Sequence, residues 1–279
     1  MKDPNISIQI IIVLYKLKLE DSITYKTLCE YISCLKYNYE LLIYNNSPEI
    51  LIEESSKYIV VNASQNDMLA VAYNYALQRA EEYNREWMLL LDQDTCLTKE
   101  YFEQLNNALL YENIAAIIPK LKSKQMHLSP KSCCSTIGHW GIMKNLQTTG
   151  IINGKTIQAF NSAALLKTNS LQKIGGFSTE FPLYELDYWV FFRLSRNKEH
   201  FYLMDVILYH DLTMLDYLNK MTKSRYVSII KAEHKFSKQI GLLSVLVFKG
   251  RLFLRLLKQL FSKEKRPYIC LTFEYLLKI

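Results

Sequence analysis

Two carboxylates, Asp92 and Asp94, lie one residue apart at the end of the apolar run WMLLL at residues 87–91. Carboxylate oxygens are ligands that Mg²⁺ and Mn²⁺ prefer in proteins. A cation held by such a pair can bridge a diphosphate and neutralise the charge on a departing nucleotide. The alternative is a simple turn, in which Asp94 and Thr95 cap a helix that begins near Thr98.

Two further residues have types that suit this chemistry. Asp187 lies among the aromatic residues Tyr184, Tyr188 and Trp189, and such surroundings can raise the pKa of a carboxyl group. A carboxylate of that kind could act as the general base for an incoming hydroxyl group. It could equally be a surface helix residue paired with Lys or Arg. His210 follows a predicted strand and is either a ligand or a hydrogen-bonded histidine at a strand end.

The elements that must position these residues alternate between strands and helices. The predicted strands cover residues 6–14, 39–49, 57–62, 87–91 and 114–119, and the helices cover 20–36, 67–83 and 98–111. This spacing is typical of βαβ units and predicts a parallel sheet, covered on both faces, over the first 119 residues. Ligands of such sheets bind outside the carboxyl ends of the strands. Asn45, Asn62 and Asp92 fall at such ends, which favours a ligand site over a turn.

The second half of the chain is less regular at first. Residues 120–155 are polar and basic and include His139 and Trp140, which could line an acceptor cleft. Residues 155–197 then predict a strand, a short helix, a break at Gly175-Gly176 and a helix that carries Asp187. A strand at 200–211 follows. We therefore predict one domain over residues 1–211, with a nucleotide-binding half at 1–119 and an acceptor half at 120–211.

The chain changes character after this domain. The segment GLLSVLVFKGRLFLRLLKQLFSKEKR mixes Lys and Arg with large aliphatic residues, and residues 213–262 are predicted to be helical. A basic amphipathic helix is typical of a membrane interface. The alternative is a helix that packs on the main domain with its basic face in water. We expect residues 212–279 to form a basic helical region that contacts a membrane, without a spanning helix.

Composition excludes several classes of protein. The first glycine is Gly138, so the N-terminal half contains neither a dinucleotide-binding glycine motif nor a P-loop. The six cysteines form no C-x-x-C pair and are scattered, which is typical of a reduced, cytosolic protein. The apolar stretch near the N-terminus is short and interrupted by Ser7 and Gln9, which predicts a strand and not a signal peptide. Cys96 stands where an aspartyl phosphotransferase motif requires Thr or Val. The net charge of +7 favours anionic partners, but nucleic acid is not expected because the basic residues lie among aliphatic ones.

Seven segments resemble the family 2 glycosyltransferases of the GT-A fold, in the same order along the chain. They are IIIVLYK, LLIYNNSPE, NDMLAVAYNYAL, LLLDQDT, AALLKTNSLQKIGGFSTEF, LDYWVFFRL and LYHD, within residues 8–211. The closest likeness is to the rhamnosyltransferase-like branch of bacterial surface-polysaccharide synthesis. The resemblance implies an α/β fold, with a GT-A-type mostly parallel sheet flanked by helices and a C-terminal helical appendage. It also implies inverting transfer of rhamnose or a hexose from a UDP- or dTDP-linked donor to a glycan or lipid-linked acceptor.

The resemblance also assigns roles to individual residues. Asp92 and Asp94 would bind Mn²⁺ or Mg²⁺ and the donor diphosphate, with His210 nearby, and Asp187 would be the base. Glu185 is the alternative base, because Leu186 replaces the Glu of the family's E-D pair. The implied nucleotide site comprises Tyr15, Asn45, Ser47, Asn66, Asn74 and Asp92. The implied acceptor site comprises Trp140, Tyr184, Trp189 and Arg193.

One departure from the family pattern concerns the nucleobase. The second strand ends in Asn45-Asn46 where the family usually has an Asp that contacts the base. The amide of Asn45 could still pair with a pyrimidine edge, so the base preference stays open. A catalytically degenerate domain that acts as a membrane-bound scaffold or partner subunit is the alternative function. We expect the protein in the cytoplasm, at the inner face of the plasma membrane, and a homo-oligomer is compatible with the sequence.

Overall fold

The structure is a computed structural model that describes residues 6–134, 136–210 and 221–278. The chain divides into two compact units, one from residues 1–131 and 145–211 and the other from 132–144 and 212–279. The second unit thus combines residues 132–144 with the segment after residue 211. The division of residues 1–211 into a nucleotide-binding half and an acceptor half stays a prediction.

The first unit is built on one large sheet. In chain order, the strands of the described residues are β1 (Ser7–Leu14), β2 (Asn38–Asn45), β3 (Ile59–Asn62), β4 (Trp87–Asp92), β5 (Thr95–Cys96), β6 (Ala116–Ser123), β7 (Met126–Ser129), β8 (Lys131–Ser132), β9 (Lys144–Asn145), β10 (Gly150–Asn153), β11 (Ile157–Gln158), β12 (Ala164–Lys167) and β13 (His200–His210). The sheet order is β10-β13-β6-β12-β4-β1-β2-β3. Strands β1 to β4 pair in parallel, and β6 pairs in parallel with β13.

The predicted parallel sheet over the first 119 residues is confirmed for β1 to β4, and the fifth predicted strand, β6, lies in the same sheet and runs in the same direction but does not pair with β4. Strand β12 lies between β4 and β6 and runs antiparallel to both. A segment from the second half of the unit thus completes the sheet, a pairing that local periodicity does not encode.

Helices cover the sheet because its strands are apolar on both faces. They are α1 (Ile23–Tyr31), α2 (Met68–Glu82), α3 (Lys99–Ala108), α4 (Thr168–Lys173) and α5 (Leu186–Arg196), with one-turn helices at Leu19–Asp21, Ile32–Cys34 and Gly154–Thr156. Every residue of β1 after Ser7 is buried, including Gln9, whose amide donates to the Glu40 carbonyl at 3.2 Å. The parallel pairing brings the carboxyl ends of β1, β2 and β4 to one edge.

The segment 120–155, predicted to be irregular, begins with regular structure. Strand β6 continues to Ser123 and turns back into β7. The polar residue Lys120 does not interrupt the strand, because its ammonium group pairs with Asp205 at 2.6 Å. Because Lys120 is charged, the sequence did not predict the second half of strand β6.

The second unit is helical in its C-terminal part, as predicted. It contains α6 (Lys223–Ile240), α7 (Leu242–Phe261) and α8 (Ile269–Lys278), with a one-turn helix at Arg266–Tyr268. Trp140 packs against Phe248 of α7, and His139 stacks on Phe236 of α6. Within the part of the chain that the structure describes, no helix is long and apolar enough to cross a bilayer.

Candidate active site

Asp92 and Asp94 lie at a tight turn that follows β4. Asp92 ends β4, Gln93 and Asp94 form the turn, and β5 begins at Thr95. The cap of helix α3 is Thr98, whose Oγ1 accepts the Tyr101 N–H at 3.2 Å. Asp94 therefore does not cap that helix, and the capping explanation for the D-x-D sequence fails.

Hydroxyl groups of helix α1 and its N-cap hold the backbone of this turn. Ser22 Oγ donates to the Gln93 carbonyl at 2.8 Å. Thr24 Oγ1 accepts the Thr95 N–H at 2.8 Å and donates to the Thr95 carbonyl at 2.9 Å. These bonds hold the backbone that carries the two carboxylates, which is how rigid binding sites are supported.

The Asp92 carboxylate is held by two further hydroxyl groups. The buried Tyr73 hydroxyl donates to Oδ1 at 3.4 Å, and Ser162 Oγ donates to Oδ2 through a short hydrogen bond. Burial, and then the charges of Asp92 and Asp187, raise the pKa of Tyr73 well above its usual value. Tyr73 therefore stays protonated and acts as a donor toward Asp92.

Asp187 lies close enough to Asp92 for the two charges to interact. It occupies the first turn of α5, is partly buried, and accepts a hydrogen bond from the Asn161 backbone N–H. Burial first, and the negative charge of Asp92 second, raise the pKa of Asp187 to about 7, against the opposing effect of the Asn161 N–H. A carboxylate with a pKa near the working pH is well suited to accept a proton.

Backbone strain surrounds the same place. Met68, Ala163 and Glu185 have φ angles of 65°, 56° and 66°, in the left-handed region that such side chains avoid. Each such residue costs on the order of 1–2 kcal/mol, and strained residues concentrate at functional sites. Ala163 follows Ser162, and Glu185 precedes the helix that carries Asp187. Both strained residues therefore adjoin residues of the cluster.

The raised pKa predicts a pH-dependent stability in metal-free protein. Folded Asp187 titrates near pH 7 and the unfolded residue near its ordinary value of 3.8. Between these values the folded state binds more protons than the unfolded state, so the contribution of Asp187 to the free energy of unfolding falls as the pH rises. Above pH 7 the whole of this loss of stability is present. We expect Asp187→Asn to be more stable than wild type at pH 8, by on the order of 1–4 kcal/mol, and equal at pH 4.

Urea unfolding in a chelator at both pH values measures this difference. Asp21→Asn, which changes an exposed aspartate, is the matched control and should be neutral. Equal stability of Asp187→Asn and wild type at pH 8 would show that the carboxyl group is not desolvated.

Three residues predicted to bind the nucleotide have their polar groups engaged within the protein. Asn45 is fully buried, and its amide donates to the Ile50 carbonyl and to Asn62 Oδ1, while Oδ1 accepts the Ser47 N–H at 3.0 Å. Ser47 is equally buried, and its Oγ accepts the Lys16 N–H at 2.5 Å. In this arrangement the two side chains shape the loop after β2. The roles of Asn45 and Ser47 at the nucleotide stay predictions.

Asn74 has a similar supporting role. Its amide donates to the Phe177 carbonyl at 2.7 Å and accepts the Phe177 N–H at 2.8 Å. Gly176, with φ +76°, passes so close that an added Cβ would lie 2.6 Å from Asn74 Oδ1. Asn74 thus joins the segment after the Gly175-Gly176 break to α2, and its role at the nucleotide site stays a prediction.

Other side chains at this edge are accessible. Tyr15 is 44% exposed directly after β1, and Asn66 is partly exposed with Oδ1 accepting the Met68 N–H at 3.1 Å. Sequence reasoning missed Asp67, whose carboxylate accepts the Tyr44 hydroxyl at 2.9 Å. Asp67 supplies an acid near the end of β2, where the expected Asp is absent. Its signal in the sequence is that it is the only carboxylate between Glu54 and Glu81.

The residues predicted to bind the acceptor are divided between the two units. Tyr184 is partly exposed, whereas Trp189 is only 7% exposed and lies beneath the Arg193 guanidinium at 5.6 Å. Trp140 is 3% exposed within the second unit, where it packs edge-on against Phe248. Trp140 is thus an interior residue of the second unit, and its role at the acceptor stays a prediction.

The backbone of His210 lies beside the D-x-D turn. In the antiparallel pairing of β13 with β5, His210 is opposite Thr95 and Tyr209 is opposite Cys96. The His210 side chain lies outside the described residues. Among residues 6–134, 136–210 and 221–278, no three His, Cys, Asp or Glu side chains form a group that could enclose a metal ion. The oxygen donors of Asp92 and Asp94 nevertheless have the chemistry that Mg²⁺ and Mn²⁺ prefer.

Comparison with known proteins gives a family and a fold. A family model described as "Glycosyl transferase family 2" matches residues 11–175, more than half of the chain. No curated protein matches the chain at a significant level.

Solved structures share the fold at low sequence identity. S. aureus TarS 1–349 is 13% identical with a TM-score of 0.54, covering 88% of this chain and 79% of its own. The same protein with UDP-GlcNAc gives a TM-score of 0.52, 13% identity and the same coverage. A longer TarS structure is covered over 44% of its length. The mannosyltransferase PcManGT from Pyrobaculum calidifontis, in complex with GDP-Man and Mn²⁺, is 12% identical with a TM-score of 0.50, covering 97% and 84%. These similarities confirm the predicted fold class.

Proposed function

The chain belongs to glycosyl transferase family 2 and has a GT-A-type fold, and from that premise we propose an inverting, metal-dependent transfer of a sugar from a nucleotide-diphosphate donor. The observation that carries the proposal is the pair of interacting carboxylates, Asp92 at the end of β4 and Asp187 at the start of α5. Asp92 suits binding of the donor, and Asp187 suits activation of the acceptor.

The donor side of the proposal rests on the D-x-D turn. Asp92 and Asp94 would hold Mn²⁺ or Mg²⁺, with the diphosphate as a further source of oxygen ligands and with His210 near. When bound, the cation supplies positive charge that stabilises the departing nucleoside diphosphate. Two structures of similar fold hold UDP-GlcNAc and GDP-Man with Mn²⁺, respectively. We propose a UDP- or dTDP-linked donor, with Tyr15 and Asn66 at the nucleotide.

The acceptor side of the proposal rests on Asp187. Its carboxylate takes the proton from the acceptor hydroxyl as that oxygen forms a bond to the anomeric carbon. The bond from that carbon to the diphosphate breaks on the opposite face, so the configuration inverts. The pKa of about 7 lets Asp187 be ionised before the reaction and still bind the proton during it. Tyr184, Trp189 and Arg193 lie on or next to the same helix and would border the acceptor.

The biological acceptor is proposed more specifically as a lipid-linked oligosaccharide. The transferred sugar would be rhamnose or a hexose, added during synthesis of a bacterial surface polysaccharide. The reaction would take place at the cytoplasmic face of the plasma membrane. Support for this location comes from the strongly basic second unit, because anionic lipids attract clusters of Lys and Arg.

A donor screen tests the proposal. The protein is incubated with Mn²⁺, lipid-linked acceptors and dTDP-rhamnose, UDP-glucose, UDP-galactose or UDP-GlcNAc, and release of nucleoside diphosphate is followed. We expect release with one donor that depends on both acceptor and metal. Binding of a donor without any release or transfer would instead favour a degenerate domain that acts as a scaffold or partner subunit.

A further inference from the structure

Helix α7 of the second unit presents a continuous apolar surface to solvent. At about 100° per residue, its exposed apolar side chains fall within an arc of about 120°. We call this surface the leucine stripe, and its members are Leu242, Leu243, Leu246, Phe253, Leu254, Leu257, Leu260 and Phe261, exposed by 38% to 88%. A stripe of this size exceeds the scattered apolar residues that are normal on soluble proteins.

The opposite face of α7 buries polar groups. Ser244 and Gln259 are at most 1% exposed, beside the apolar Phe248 and Leu252. The Gln259 amide donates to the Tyr226 hydroxyl at 2.7 Å, and its oxygen accepts the Thr272 hydroxyl at 2.8 Å. A helix on a water-soluble domain normally buries its apolar stripe and exposes polar residues. Helix α7 instead hides an amide and a hydroxyl while eight large apolar side chains remain outside.

Charge is distributed just as unevenly. Residues 221–279 contain thirteen basic residues (Lys and Arg) and three acidic residues (Asp and Glu). Residues 1–220 contain twenty-one basic and twenty-four acidic residues. The positive net charge of the protein therefore comes entirely from this region. Lys249 and Lys258 lie just beyond the two edges of the leucine stripe, at about 20–40° from it. Apolar residues bordered by cations complement a surface that is apolar inside and anionic at its rim.

We propose that α7 lies in the plane of an anionic lipid bilayer, with the leucine stripe among the acyl chains and the flanking lysines at the headgroups. This arrangement is that of an interfacial amphipathic helix. A second copy of the chain fits the surface less well, because two regions of such strong positive charge repel each other. The inference deepens the proposed function, since it gives the residues that would bring the enzyme to a lipid-linked acceptor.

Vesicle sedimentation of the full chain, without donor or acceptor, tests the proposal. Wild type should pellet with vesicles that contain phosphatidylglycerol and much less with pure phosphatidylcholine, and salt should weaken the binding. Leu254→Asp combined with Leu257→Asp should lower the affinity by roughly tenfold or more. Leu110→Asp is the matched control, because Leu110 is 57% exposed on the first unit, and it should bind as wild type does.

Three outcomes would overturn the proposal. Failure of wild type to pellet with anionic vesicles excludes membrane binding, and equal pelleting of the double variant excludes the leucine stripe. A stable dimer that the double variant dissociates, without vesicle binding, would assign the surface to a second copy. Thermal unfolding of the double variant, followed by circular dichroism and compared with that of wild type, verifies its fold without use of the nucleotide site, which keeps this test separate from that of the proposed function.

Discussion

Asp187→Asn is expected to lower turnover by roughly 10²–10⁴-fold while the affinity for the nucleotide-sugar donor is retained. The substitution preserves the shape of the side chain, and its amide oxygen can still accept the Asn161 N–H that the carboxylate accepts. What it removes is the ability to take a proton from the acceptor hydroxyl. Steady-state transfer rates and calorimetric donor affinity, measured on the same preparation, separate the two effects.

Glu185→Gln is the matched control for this experiment. Glu185 lies two residues earlier, outside the helix at φ 66°, and we expect its variant to keep most of the activity. The opposite pattern, an inactive Glu185→Gln and an active Asp187→Asn, would identify Glu185 as the base. The stability measurement at pH 8 provides a second check, since an Asp187→Asn variant that is inactive but more stable cannot owe its inactivity to unfolding.

Asp94→Ala is expected to reduce transfer by roughly 10²-fold or more, through loss of charge stabilisation at the donor diphosphate. The loss should appear as a weaker response to Mn²⁺, because the variant has one carboxylate fewer for the cation. Titration of activity with Mn²⁺ at saturating donor measures this change. Full activity of Asp94→Ala at ordinary Mn²⁺ concentrations would contradict the assignment.

Asp92→Asn tests the other half of the pair and needs more care. Tyr73 and Ser162 both donate to the Asp92 carboxylate. In the variant, one of these two hydroxyl donors would instead lie against the amide NH₂ group of Asn, which is also a donor. We expect loss of metal-dependent transfer together with some loss of stability. Ser162→Ala is the informative control, because it removes one of the two hydrogen bonds and leaves the carboxylate in place. Its activity should lie between those of wild type and Asp92→Asn.

The sequence predicted the strands and helices of the first 119 residues well, because runs such as that of β1 are buried on both faces. It could not predict that β12 inserts between β4 and β6. That pairing joins segments far apart in the chain, and its four residues carry no periodicity that distinguishes an internal strand from a loop. The extension of β6 through Lys120 was concealed for a different reason, since its ion pair with Asp205 forms only in the folded state.

The candidate site was predictable where strand ends decide position, as for Asp92 and Asp94. Asn45, Ser47 and Asn74 show the limit of that reasoning, because proximity to a site does not reveal where a side chain directs its hydrogen bonds. The sequence did not indicate the roles of Tyr73, Ser162, Ser22 and Thr24. Their hydrogen bonds join residues that are 19 to 71 positions apart in the chain.

Calorimetric titration of wild-type protein with UDP, dTDP and GDP, each with and without Mn²⁺, measures whether Asp92 and Asp94 form a cation-dependent site for a nucleoside diphosphate. We expect that UDP or dTDP binds, that GDP binds more weakly, and that the binding requires Mn²⁺. Absence of binding by all three nucleotides with Mn²⁺ would contradict this expectation.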